Sequence, residues 1–353
     1  MMKKTKTPLF IGTYTNNSPS EGIYFCDFNT DTGIIEESIL EASLTNPSYL
    51  TFDVKHRVLF AVSETSDFGG HNGGSVSSFA LQEDMSLKLI SSQPTYGKDP
   101  CHLCLSADAK RLFVANYSEG SLSVFPVAKT GEIMPLIQSI KHQGSGPNAQ
   151  RQEQAHIHFV TVVSGGVCLV DLGMDEILWY SMLGDKLKEE PYARVSLPPG
   201  SGPRHLVFHP TYPMLYVLQE LSNQVIAVQL DAKGSPLMIN QILTTLPEDF
   251  QGESTCAAIR INKEGTLLFA SNRGHDSVAV WQIEQGGRIK PAKLYQSGGQ
   301  TPRDICLSPD ERWLLCANQS GEITVLQVNQ QTGELSKPIS AVELGAPVNL
   351  LFI

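Results

Sequence analysis

Apolar residues along this chain come in short runs separated by polar or glycine-rich turns, and pairs of such runs recur in one arrangement. A proline opens the first run, a turn cluster follows, and the second run closes on a polar residue or tyrosine seventeen positions after the proline. Pro47 leads in this way to Glu64, Pro100 to Tyr117, Pro203 to Glu220 and Pro302 to Gln319, with Cys256 standing in for proline ahead of Arg273. Segments such as PRHLVFHPTYPMLYVLQE (203–220) and PRDICLSPDERWLLCANQ (302–319) therefore predict a repeated β-hairpin.

The same prolines set the period. Pro47 and Pro100 lie 53 residues apart and Pro302 and Pro347 lie 45 apart, while the intervals of 103 (Pro100 to Pro203) and 99 (Pro203 to Pro302) each hide one further unit. These are the Cys256 segment and the degenerate AHIHFVTVVSGGVCLVDL, which begins at Ala155. Units of about 45–50 residues that hold more than two short strands predict β-propeller blades. Pro347 opens only one run before Ile353, whereas PLFIGTY (8–14) matches RLFVANY (111–117) and GIYFCDF (22–28) matches a following strand. The expected fold is all-β: a seven-bladed β-propeller of four-stranded antiparallel blades, with residues 1–353 forming a single domain. Its last blade is closed by N- and C-terminal strands, which pairs the otherwise open sheet edges.

Composition narrows the partners. A formal charge of −10 argues against nucleic acid. No apolar stretch approaches the roughly 20 residues that span a bilayer, so no membrane association is expected. The first residues, MMKKTKTPLFIGTY, carry lysines but only a short apolar segment that the repeat already claims as a strand, and no export is expected. Seven cysteines cannot all pair, and most sit inside predicted strands, as buried thiols do in a reducing cytoplasm. The expected state is a monomer or weak homo-oligomer.

In a propeller the first strand of each blade lines a central channel, so residues just after the repeat proline and those seventeen positions on share one mouth. Around the ring this places Ser48 with Glu64, His102 with Asn116 and Tyr117, then His156 and His158, Arg204 and His205 with Glu220, Asn272 with Arg273, Arg303 with Asn318 and Gln319, and finally Asn349 and Tyr14. Any one of these residues could be an ordinary fastening between blades. Three arginines around one funnel, however, call for an anionic partner. Arg151 lies in the glycine- and proline-containing stretch GSGPNAQRQEQAHIHF (144–159), expected to fold over the mouth.

His156 and His158, two apart, would share one face of a strand. They can be read as metal ligands, as a general base with its support, or as structural histidines; a metal would need a third ligand that the pattern does not supply. Cys101 and Cys104 form a CxxC without a second pair, and the glycine-rich loops lack the lysine and helix of a phosphate-binding loop. No Trp-Asp repeat signature recurs.

RQEQAHIH (151–158), GPRHLVFHP (202–210), QELSNQV (219–225), SNRGHDSVAVW (271–281) and TPRDICLSPD (301–310) together make the chain resemble the seven-bladed-propeller 6-phosphogluconolactonase family, which is related to fungal carboxy-cis,cis-muconate cyclases. The resemblance covers nearly the whole chain. It implies a cytoplasmic enzyme, working without metal or other cofactor, that hydrolyses an anionic small-molecule sugar lactone, 6-phosphogluconolactone above all, within the pentose phosphate pathway. The His, Glu and two Arg attributed to the cyclases fall by motif on His156, Glu220, Arg204 and Arg273. Arg273 and Arg303, with Arg151, would hold the phosphate and hydroxyls; His158, His205, His102 and Asn272 complete the expected substrate-binding set. His156 or Glu220 would deprotonate water and Arg204 would stabilise the oxyanion, and loss of either base is expected to leave the fold intact. Ala155 replaces the repeat proline, so His158 could take the place of His156. A muconate-type lactonizing cyclase and a non-catalytic ligand-binding propeller are the alternatives.

Overall fold

A computed structural model describes residues 6–353. Every regular element in it is a strand, and no helix is long and apolar enough to cross a membrane. The described residues form two compact units. One comprises the chain up to Leu40, His205–Lys233 and Leu237–Ile353; the other comprises Glu41–Arg204 with Gly234–Pro236.

Seven antiparallel sheets, each built on a path of four strands, carry the chain. In the second sheet the order is Pro100–Leu105, Arg111–Asn116, Ser121–Pro126 and Gln138–Lys141. The sixth repeats it with Pro302–Leu307, Trp313–Asn318, Glu322–Val328 and Leu335–Glu343. The third sheet begins at Ile157–Val163 and Gly166–Asp171, which confirms the unit that lacks its proline. In the seventh, Lys6–Thr13 pairs antiparallel with Pro347–Phe352 (Phe10 opposite Leu351), so the first strand comes from the end of the chain and the others from its beginning. One extra hairpin, Asp67–Phe68 with His71–Asn72, stands on the turn after the second strand of the first sheet.

Burial explains the sequence pattern. Second strands such as Val58–Ser63 and Met214–Gln219 are buried along their whole length, hence their unbroken apolar runs. Fourth strands such as Pro236–Thr244 are exposed at alternate positions and carry prolines that blunt the edge. The core lies between consecutive sheets: Phe113, Leu122, Val160 and Leu178 pack between the second and third, and Tyr216, Ala227, Ile259 and Trp281 between the fourth and fifth. Truncating a fully buried ring such as Trp281 to alanine typically costs about 3–5 kcal/mol. All seven cysteines are free thiols. Burial pushes Cys26, Cys104, Cys306 and Cys316 up to about 12, so they stay protonated and unreactive.

The seventeen-residue spacing has a backbone cause. Each residue ahead of a repeat proline adopts a left-handed conformation: Asn46 (φ 45°), Asp99 (54°), Gly202 (61°), Thr301 (57°) and Ala346 (40°). That turn aims its carbonyl back at the end of the second strand. Asn46 O accepts from Glu64 N at 3.0 Å, Asp99 O from Tyr117 N at 3.0 Å, Thr301 O from Gln319 N at 2.9 Å and Ala346 O from Tyr14 N at 3.0 Å. Only Gly202 takes this conformation without a Cβ penalty; for the others it costs about 1–2 kcal/mol per residue. Ala346→Gly should therefore raise stability by about 0.5–1 kcal/mol after the added unfolded-state entropy is set against the relieved strain, measured as a denaturant midpoint shift at unchanged slope. A lower midpoint would show that the left-handed turn is unstrained.

Candidate active site

The four-sheet unit holds Glu220, Arg273, Arg303 and Tyr14. Glu220 follows the second strand of the fourth sheet and Arg273 ends the second strand of the fifth, Leu267–Arg273. The carboxylate Oε2 of Glu220 lies 3.2 Å from Nη2 of Arg273, and both side chains are nearly buried, at 4% and 13% exposure. The same Nη2 donates to the carbonyl of Cys256 at 2.8 Å. Burial lowers the Arg273 pKa; the Glu220 charge opposes that shift and the Arg303 charge adds to it. Arg303 donates to the Tyr14 hydroxyl at 2.6 Å, with its guanidinium carbon 5.0 Å from the centre of the Tyr14 ring. Two guanidinium groups thus lie close enough to act on each other, an arrangement suited to an incoming anion.

Asp304, beside Arg303, faces other partners. It accepts from Arg260 at 2.6 Å and from the side chain of Asn349 and the amide of Leu350 at 3.1 and 2.9 Å. This buried clip joins the first strands of three sheets.

The other unit gathers its polar groups around Tyr117. His156 Nδ1 donates to the Tyr117 carbonyl at 3.0 Å while its ring stacks on the Tyr117 ring at 4.4 Å and 13°. His158 meets that ring edge-on at 5.4 Å, and Arg151 donates to the Tyr117 hydroxyl at 3.3 Å. Because Nδ1 carries the proton given to a carbonyl, Nε2 is the nitrogen left for proton transfer. It lies 3.3 Å from Glu153 Oε1. A backbone hydrogen bond first, then His156 and Arg151, hold the Glu153 carboxyl below its usual range.

Comparison with known proteins fixes the lineage. Residues 8–352 match the family model described as lactonase, 7-bladed beta-propeller. The chain is 31% identical to the 6-phosphogluconolactonase of Bacillus subtilis, over 99% of both chains. It superposes on the periplasmic gluconolactonase of Pseudomonas aeruginosa with a TM-score of 0.91 at 31% identity, covering 99% of each, and on a protein from Lactobacillus plantarum with the same score at 26% identity and the same coverage. This chain belongs to the lactonase family of seven-bladed β-propellers. Its seven sheets are the seven blades.

Within this propeller the residues expected from sequence separate by environment. Glu220, Arg273 and Arg303 form one group, and His156, His158 and Arg151 form another around Tyr117. Arg204 and His205 lie in the first strand of blade four, Pro203–Phe208, and both are buried. Two residues fall into blade packing instead. Asn272, wholly buried, spends its amide on the Thr245 carbonyl (2.9 Å) and Ser277 hydroxyl (3.1 Å) and accepts from the Cys256 thiol (3.3 Å). His102 is sandwiched between Tyr49 at 4.0 Å and Phe159 at 4.2 Å, its Nδ1 accepting from Val160 N. His156 precedes its strand and His158 sits in a bulge between Ile157 and Phe159, so their shared orientation toward Tyr117 does not come from strand alternation. Ser48, as expected, donates to Glu64. Glu153 and Asp171 were not signalled by the repeat grammar. Among the described residues no three His, Cys, Asp or Glu side chains cluster closely enough to hold a metal.

The buried ion pair changes one expectation. Glu220→Gln leaves Arg273 charged, desolvated and facing Arg303, which should cost about 3 kcal/mol of stability. Added inorganic phosphate should then restore more of the thermal midpoint in this variant than it adds to the parent. An unchanged midpoint would mean that the pair contributes nothing to folding.

Proposed function

We propose that this propeller hydrolyses a sugar lactone and that 6-phosphogluconolactone, opened to 6-phosphogluconate in the pentose phosphate pathway, is the substrate its side chains suit best. The observation that carries this reading is the closeness of two guanidinium groups, Arg273, paired with Glu220, and Arg303, whose charge acts on Arg273. A phosphate dianion accepts bidentately from guanidinium groups placed in this way. Tyr14, bonded to Arg303, holds that guanidinium in place. The family match and the lactonase names of its relatives support the reaction type.

In the proposed reaction the oxygen of water bonds to the lactone carbonyl carbon and its proton passes to a base. Glu220 and His156 are the two groups assigned to that role, the latter through Nε2. Arg204 donates to the oxyanion that develops as the carbonyl becomes tetrahedral. Collapse breaks the bond to the ring oxygen, which takes up a proton, and leaves the open-chain acid. A sugar lactone is electrophilic enough for a positioned base to add roughly 10²–10⁴ in rate. Seven unpaired thiols agree with work in the reducing cytoplasm.

The test is proton release from freshly generated 6-phosphogluconolactone, corrected for spontaneous opening and run with chelator present, beside glucono-δ-lactone. Fast turnover of the phosphorylated lactone is expected. Arg303→Met should raise its KM about 10- to 100-fold and leave the unphosphorylated lactone nearly unaffected. His156→Ala should lower kcat roughly 100-fold. No acceleration of either lactone, with inhibitory binding of dicarboxylates, would instead favour a ring-closing cyclase.

A further inference from the structure

Where consecutive blades meet, one polar strap recurs. The residue after the outer strand donates its amide to the turn between the second and third strands of its own blade: Thr95 to Gly74, His142 to Gly120, Thr245 to Asn223 and Ser297 to Asp276. Opposite it stands the end of the second strand of the following blade, which carries Asn116, Asp171, Asn272 and Asn318. In three of these places the strap is neutral. Asn116 reaches the Ser123 hydroxyl at 2.9 Å, and Ser123 donates to the Thr95 carbonyl at 2.6 Å. Asn272 donates to the Thr245 carbonyl at 2.9 Å. Asn318 bonds Thr324 at 3.1 Å, and Thr324 donates to the Ser297 carbonyl at 2.5 Å.

The strap that leads into the blade of His156 is built from ionisable groups. His142 Nδ1 lies 2.7 Å from Asp171 Oδ2, and His142 Nε2 lies 3.0 Å from the Tyr180 hydroxyl. A carboxylate only accepts, so Nδ1 is the nitrogen that donates to Asp171, and Nε2 accepts from the Tyr180 hydroxyl, whose pKa burial raises to about 12. The other oxygen of Asp171 accepts from the amides of His156 at 2.9 Å and Met174 at 3.1 Å. The next residue, Leu172, donates its amide to the His156 carbonyl at 2.9 Å. Asp171 is wholly buried and His142 nearly so. A carboxylate and an imidazole carry a desolvation cost here that an amide and a hydroxyl avoid at the equivalent places. Joining two blades does not require them.

We propose that Asp171 is a positioning residue for His156, with His142 and Tyr180 holding its carboxylate aimed. Clamped at both backbone groups, His156 keeps the orientation in which Nδ1–H binds the Tyr117 carbonyl and Nε2 faces the Glu153 carboxylate, the side on which water would be met. This inference rests on the reading that His156 serves lactone turnover.

Two measurements test it. The first compares kcat and KM in Asp171→Asn and in Ser123→Ala, which breaks the neutral strap one blade earlier, with thermal midpoints recorded for both. Asp171→Asn should lower kcat roughly 100-fold while KM stays within about threefold, as a misaligned base requires; Ser123→Ala should lower the midpoint and keep kcat within about threefold. An unchanged kcat in Asp171→Asn, or an equal loss in Ser123→Ala, overturns the proposal. The second needs no turnover: in nitrogen-15 spectra the His156 ring should show one Nδ1–H tautomer in the parent and a tautomer mixture in Asp171→Asn. If the parent opens no lactone, the proposed function fails, and an identical ring signature in both proteins separately rejects the role of Asp171.

Discussion

One backbone hydrogen bond organises this propeller. A left-handed residue ahead of the repeat proline turns its carbonyl onto the amide of the residue that closes the second strand, in the blades that begin at Asn46, Asp99, Thr301 and Ala346. Proline fixes its own φ and the preceding residue is driven out of the right-handed helical region, so the turn cannot relax into a helix. The amide held in this way belongs to Glu64, Tyr117, Gln319 or Tyr14, and each tyrosine gathers polar groups in its own unit. His156 and Arg303 therefore rest against positions that the fold pins for its own closure, which is how a rigid scaffold presents reactive groups without mobile supports.

Charge is distributed against the average. A chain of net charge −10 brings the Arg303 charge to bear on Arg273, pairs Arg273 with Glu220 and buries it almost completely. Such a pair is poor value for stability, because desolvation offsets much of the attraction. The same logic applies to Asp171 and His142: ionisable groups occupy a strap that neighbouring blades build from asparagine, serine and threonine.

Much of this was legible from the sequence because the repeat leaves physical marks in it. Buried second strands read as unbroken apolar runs, the strained turn reads as a residue before proline, and the mismatch at the two termini foretold the pairing of Lys6–Thr13 with Pro347–Phe352. Ser48 with Glu64 and the nearness of Arg273 to Glu220 followed from position alone. What stayed hidden depends on side-chain partners. Asn272 looked like a mouth residue but its amide faces the preceding blade, and His102 is held between two rings. The bulge after Ile157 removes strand alternation as the reason His156 and His158 agree. Asp171, next to last in VCLVDL, reads as an ordinary acid at a strand end; only the structure shows it gripping the amide of His156.

The central claim is that the arginines beside Glu220 hold the anion of a sugar-derived substrate. A crystal structure of the protein with 6-phosphogluconate, the product of the proposed reaction, addresses it directly. The account predicts the phosphate within hydrogen-bond distance of the Arg303 guanidinium, with Arg273 still paired to Glu220. Product bound away from both arginines, or an acid that shows no binding at saturating concentration, would contradict it.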